Sequence, residues 1–169
     1  MGTTASPVAE RAKRGRKPIW IGVAVVAVVA VAIGLPLFQP WKLFTNVEVN
    51  EANPLSSVSG TASGGFSSRA HHTSGTARVG TTADGATVVF IENLDTDNGP
   101  DVKVYLSPAG PDSGDLVAGG LRLGDLKGNK GNQSYAVPAG TDMAKYKSVV
   151  IWCERFSVAF GVAPLGAAA

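Results

Sequence analysis

Residues 148–165 read SVVIWCERFSVAFGVAPL, and this stretch decides the fold class. Taken with period two, the even positions Val150, Trp152, Phe156, Val158 and Phe160 form one large apolar face, interrupted at Glu154. The odd positions Val149, Ile151, Cys153, Arg155, Ser157 and Ala159 are smaller and more mixed. Alternation of this kind predicts strand. Working outward, short apolar or alternating runs recur at 75–79, 87–92, 101–106 and 133–137, then at 148–153 and 156–160, with Gly, Pro, Asn and Asp between them. Their spacing and β-branched content predict an all-β fold, a small β-sandwich or a partly closed barrel. Residues 143–146 read as a single helical turn capped by Asp142. The expected core holds Val88, Phe90, Val102, Val104, Leu106 and Tyr135 together with the even face of 148–165.

Cys153 is the only cysteine, so the domain folds without an internal disulfide. If the strand runs straight, Arg155 lies on the same face and close by, where a guanidinium favours thiolate over thiol. A bend at Glu154 and Arg155 breaks that pairing. The competing role for Cys153 is that of a small buried hydrophobe at a strand end. His71 and His72 are the only histidines, and neighbours in an extended segment point to opposite sides, so they do not jointly grip a metal ion. His71 facing Cys153 across the fold stays open, either as base and thiol or as two ligands of a haem iron. No Cys-x-x-Cys-His segment offers covalent haem attachment.

The loop DTDNGPD (95–101) carries Asp95, Asp97 and Asp101, but the twelfth position counted from Asp95 is Leu106, where a calcium loop of the EF-hand type needs a bidentate glutamate. It reads as a solvated hairpin loop, and no metal site is expected. The glycine-rich segment 118–133, with Lys127 and Lys130, lacks Walker spacing and reads as turns between strands. There is no Gly-x-Ser-x-Gly and no identifiable pair of catalytic carboxylates, so nothing points to a hydrolase.

Four blocks in order carry a family resemblance: HHTSGTA (71–77), GPDVKVYLS (99–107), LGDLKGNKGNQSYAVP (123–138) and VVIWCERFSVAFG (149–161). Together they resemble the DM-thirteen domain, the module that accompanies DOMON domains in Skeletor-type proteins. The resemblance implies a small β-rich extracytoplasmic domain over 59–165. It also implies a proposed electron-transfer role centred on a characteristic cysteine, which falls on Cys153. The His-x-x-Ser-Gly opening falls on His71 through Gly75.

The N-terminal third is organised differently. Residues 1–18 form a basic tail, with Arg11, Lys13, Arg14, Arg16 and Lys17 against Glu10. The 20 residues from 19 to 38, IWIGVAVVAVVAVAIGLPLF, carry no charge. As a helix they reach about 30 Å, the hydrocarbon thickness of a bilayer. Trp20 and Trp41 flank the run, and the basic cluster before it puts the N-terminus in the cytoplasm and the rest of the chain outside. A cleaved signal peptide is the competing reading, with a small-x-small site at Ala30 to Ala32, and the apolar run continues past it through Phe38. Residues 39–58 read as a juxtamembrane stalk acting as a spacer, with Val47 and Val49 as an edge strand, and 166–169 as a short C-terminal tail. Beyond the apolar run the chain has ten basic and twelve acidic residues, a net charge of −2. The overall pI of 8.8 therefore belongs to the basic tail and gives no sign of nucleic-acid binding.

The expected protein is thus single-pass in the cell membrane, held in the lipid bilayer by residues 19–38. Two functional readings of different class follow. One is a redox or electron-transfer module using Cys153, alone or with a prosthetic group such as haem and with a redox partner protein. Here His71 is the partner side chain and Arg155 the pKa modulator. The other is a noncatalytic binding module in which Cys153 is structural.

Overall fold

Strand alternation and glycine punctuation build two stacked sheets, seen in a computed structural model that describes Gly2, residues 17–58 and residues 61–166. The chain divides into two units, one ending at Phe38 and the other beginning at Gln39. In the first, helix α1 covers Lys17–Phe38 and carries no charged residue from Ile19 on. Within it Ile19–Phe38 is long and apolar enough to cross a membrane. Pro36 lies in its last turn, so its missing N–H and its ring disturb only the end of the helix. Most of the basic tail expected at 1–18, and residues 167–169 of the expected C-terminal tail, lie outside the described residues.

Among its described residues the second unit holds ten strands: β1 (Glu48–Asn50), β2 (Ala62–Gly65), β3 (Ser67–Ser68), β4 (Thr73–Thr81), β5 (Thr87–Thr96), β6 (Val102–Ser107), β7 (Leu121–Asp125), β8 (Lys130–Ala136), β9 (Ser148–Cys153) and β10 (Val158–Pro164). They form one sheet in the order β1-β8-β5-β4-β2 and another in the order β3-β10-β9-β6-β7. All pairings are antiparallel except β1 with β8. Inward residues of both sheets meet in one core: Ala77, Val89 and Ile91 from the first, Val104, Ile151 and Phe160 from the second. This is a sandwich, the first of the two architectures expected, and not a closed barrel. The single turn appears as a 3-10 helix, Met143–Lys145, capped by the Asp142 side chain.

The phase of the key stretch differs from the period-two reading. Strand β9 ends at Cys153, residues 154–157 turn, and β10 restarts with a bulge between Ala159 and Gly161. A continuous even face therefore does not exist. Val149, Ile151 and Cys153 point into the main core, whereas Val150 and Trp152 pack outside it with Leu116, Ala159 and Val162. Phe156, expected inside, sits in the turn and is 49% exposed, while Val88, Trp152 and Val158 are only half-buried. The bend at Glu154 and Arg155 is the alternative that occurs, so the straight strand on which Arg155 depended to flank Cys153 is absent.

Within the segment 39–58, the part from Thr45 on docks on the domain. β1 lies parallel to β8 at the sheet edge, as Val47 and Val49 suggested, with Glu48 opposite Lys130 and Asn50 opposite Asn132. Only glycine permits so close an approach at Gly131, whose φ is +92° and where a Cβ would fall 2.1 Å from the Val49 carbonyl. Leu55 is buried, and the Asn129 side chain accepts from the Val47 amide at 2.7 Å. Glu51 clamps the segment: one oxygen takes the Lys127 ammonium at 2.6 Å, and the other accepts from the Ser134 amide at 2.8 Å and from its hydroxyl.

The side-chain hydrogen bonds from Lys127 and then Ser134 pull the Glu51 pKa from 4.5 down to about 2. A depressed carboxylate pKa stabilises the fold above the unfolded value, and that stabilisation is lost as pH falls through the folded value. Because the side chain is a third exposed, Glu51→Gln is expected to cost only about 1 kcal/mol at neutral pH. Thermal melts of the two proteins should converge as the pH approaches 2; a gap that is constant across this range contradicts the clamp.

Candidate functional site

Cys153 is the last residue of β9, opposite Val102 on β6 and Val158 on β10, and its side chain has no exposed surface. It lies in the same apolar cluster as Val102 and Phe160. Arg155 is exposed in the turn that follows. His71 precedes β4 and is tied down on two sides. Its Nδ1 is 3.0 Å from an Asp97 carboxylate oxygen, and its ring lies on Phe160 with centroids 3.9 Å apart. The polar partner of His71 is Asp97 and not Cys153, and the ring on which it lies, Phe160, belongs to the same core cluster as the thiol. His72 is exposed. The three carboxylates of 95–101 diverge to three bases: Asp95 to Lys130 at 2.6 Å, Asp97 to His71, and Asp101 to Lys103 at 2.7 Å.

The outward face of β6, β7 and β9 carries a polar network that no sequence motif marks. Lys103, opposite Trp152, is nearly buried and bridges Asp101 and Asp125, the latter at 2.8 Å. Burial works to lower the pKa of its ammonium, and hydrogen bonds to Asp101 and Asp125 overcome this and leave it raised. Two residues on, the Tyr105 hydroxyl donates to Glu154 Oε1 at 2.5 Å. Arg122 joins the same oxygen at 3.3 Å and Asp125 at 3.0 Å. Burial, then the hydrogen bond to Glu154, raises the Tyr105 pKa. The signal was available: in VKVYLS the valines and leucine face inward, so Lys103 and Tyr105 must share the outer face.

Comparison with known families decides the identity of the fold. The family model described as electron transfer DM13 matches residues 65–165, more than half of the chain. The chain belongs to the electron transfer DM13 family. No curated protein and no solved structure gives a match.

The DM13 match covers the blocks on which the resemblance rested, and the structure gives their glycines a physical reason. Gly75, which closes His-x-x-Ser-Gly, has φ +116° at a bulge, and a Cβ there would fall 2.8 Å from the carbonyl oxygens of Glu92 and Asn93. Gly99 leaves room for Phe160, whose ring lies 3.0 Å from where a Cβ would stand. A haem held by Cys153 does not fit this packing. The thiol is enclosed by core side chains, and clefts of 540 and 320 Å³ open elsewhere, the first beside Trp152 and Arg69 and the second beside Met143 and Tyr146. Cys153 lines neither cleft.

Proposed function

We propose that this DM13 domain is held on the outer side of a membrane by Ile19–Phe38 and serves electron transfer, with Cys153 as its redox group. The observation that carries this reading is the match to the electron transfer DM13 family across residues 65–165, a span that contains the chain's one thiol. The position of Cys153 supports it: the residue ends β9 immediately before an exposed turn, so opening one hairpin end is enough to bring the sulfur to a partner. A free thiol in an oxidising compartment is otherwise a liability. Orientation rests on the basic residues that precede the apolar run.

A second reading is favoured by the complete burial of Cys153, which suits a structural residue in a noncatalytic binding module. One experiment separates the two. A membrane-impermeant maleimide applied to intact cells is expected to label Cys153 of the full chain. Labelling by a permeant reagent alone overturns the orientation. If neither reagent labels the protein until it is denatured, Cys153 is structural and the binding-module reading replaces the redox one.

A further inference from the structure

We propose that Tyr105, hydrogen-bonded to Glu154, is a one-electron relay at the surface of the domain. The inference rests on the electron-transfer reading but does not require chemistry at Cys153. A phenol gives up an electron readily only when its proton leaves with the electron, because the oxidised phenol is a very strong acid. A side chain poised to accept that proton is therefore the mark of a redox tyrosine. Glu154 is so placed, with Oε1 2.5 Å from the Tyr105 hydroxyl. Arg122, 3.3 Å from the same oxygen, fixes the carboxylate in position. Lys103 and Arg122 are countered by Asp101, Asp125 and Glu154, so it is the carboxylate acceptor at the hydroxyl, and not an excess of positive charge, that favours the neutral radical left after proton transfer. Tyr135 offers a contrast: its hydroxyl donates to the amide oxygen of Gln133 at 2.6 Å, a group that does not accept a proton outright.

The surroundings suit passage of an electron. Tyr105 and Trp152 pack against the same outer cluster and are diagonal neighbours across β6 and β9, since Trp152 stands opposite Lys103 and Tyr105 opposite Val150. Both rings are half-buried, so each keeps an edge at the surface where a partner can approach. Trp152 and Cys153 are adjacent in the chain but face opposite sides of β9, so the ring pair on the outer face stands apart from the thiol in the core.

A high-potential one-electron oxidant, such as an oxidised metal centre docked on this face, takes one electron from Tyr105, and the phenolic proton moves to Glu154 Oε1. This leaves a neutral tyrosyl radical beside a glutamic acid. A one-electron reductant then returns the electron, and Glu154 returns the proton. One electron passes from donor to acceptor with no net proton change.

The test is flash oxidation of the full chain in detergent micelles by photogenerated tris(bipyridine)ruthenium(III), read by transient absorption and electron paramagnetic resonance. A tyrosyl radical is expected, forming more slowly in heavy water. Tyr105→Phe should abolish it. Glu154→Gln should slow its formation roughly 100-fold, the range lost with a positioned base, while melting like the parent. Cys153→Ser should retain it. An unchanged signal in Tyr105→Phe places the radical on Tyr135 or Tyr146 and overturns the relay. An unchanged rate and isotope effect in Glu154→Gln makes the hydrogen bond merely structural. Thiol labelling reads Cys153 separately, so failure of the thiol and failure of the relay are told apart.

Discussion

Phe160→Ala is expected to destabilise the domain by about 3–5 kcal/mol, the cost of emptying a core position of an aromatic ring. The ring is 2% exposed, belongs to the central cluster, and fills the space that Gly99 leaves open. A domain of this size carries roughly 5–15 kcal/mol of stability, so the loss is a third or more of the total and should appear as a large drop in the urea midpoint. The ring also supports His71, whose imidazole is tilted against it with centroids 3.9 Å apart. His71→Ala should cost far less, on the order of 1 kcal/mol, because its side chain is 36% exposed and a ring contact adds little beyond area. Phe160→Leu, which refills most of the volume, should fall between the two. Equal losses for Phe160→Ala and His71→Ala would show that Phe160 acts as a platform for His71 and not as core.

Much of the fold was readable because sandwiches announce themselves through turns. The runs at 87–92, 101–106 and 148–153 coincide with the starts or bodies of β5, β6 and β9. The strands that escaped have the wrong composition: β2 is Ala-Ser-Gly-Gly, β3 is two serines, and β7 lies inside a glycine-rich stretch that looks like loop. All three stand at sheet edges, where pairing depends on a neighbour's backbone more than on their own side chains. The phase of 148–165 was misread for a different reason. Both faces of β9 are apolar and both are covered, so alternation identifies two faces without saying which is central. Large aromatics suggested the even face, yet the smaller Val149, Ile151 and Cys153 fill the space between the sheets, and Trp152 is covered from outside with Leu116.

The candidate site divides along the same line. Cys153 was conspicuous as the lone thiol, but its burial depends on which face of β9 turns inward. The Asp97 partner of His71 is 26 residues away, across a pairing of β4 with β5 whose register includes a bulge. Likewise Glu154 meets Tyr105 over a separation of 49 residues. Local patterning says which side chains share a strand face and leaves unsaid which strands become neighbours. The docking from Thr45 on has the same origin: a parallel edge pairing to β8 leaves only a faint mark in a three-residue strand.

Gln133→Leu is expected to be as damaging as loss of a core aromatic, about 3–5 kcal/mol, although it replaces a polar side chain with an apolar one of similar size. Gln133 is fully buried on β8 and holds the turn before that strand from within. Its Nε2 donates to the Gly128 carbonyl at 2.8 Å. Its Oε1 accepts from the Lys127 amide at 3.1 Å, the Gly128 amide at 3.3 Å and the Tyr135 hydroxyl at 2.6 Å. Leucine satisfies none of these, and every buried donor or acceptor left unpaired costs about 1–3 kcal/mol. The backbone so anchored also carries Lys127, which pairs with Glu51, so the turn links the core to the docked part of 39–58. Tyr135 provides the internal check. Burial raises the pKa of its hydroxyl, so the group stays protonated and needs an acceptor. Tyr135→Phe removes that need, and Gln133→Leu combined with Tyr135→Phe should cost less than the two single losses added together, by about 1–2 kcal/mol in a double-mutant cycle. Additive losses in urea denaturation would mean that the Tyr135 hydroxyl finds another partner when Gln133 is gone, and that the network contributes as separate bonds.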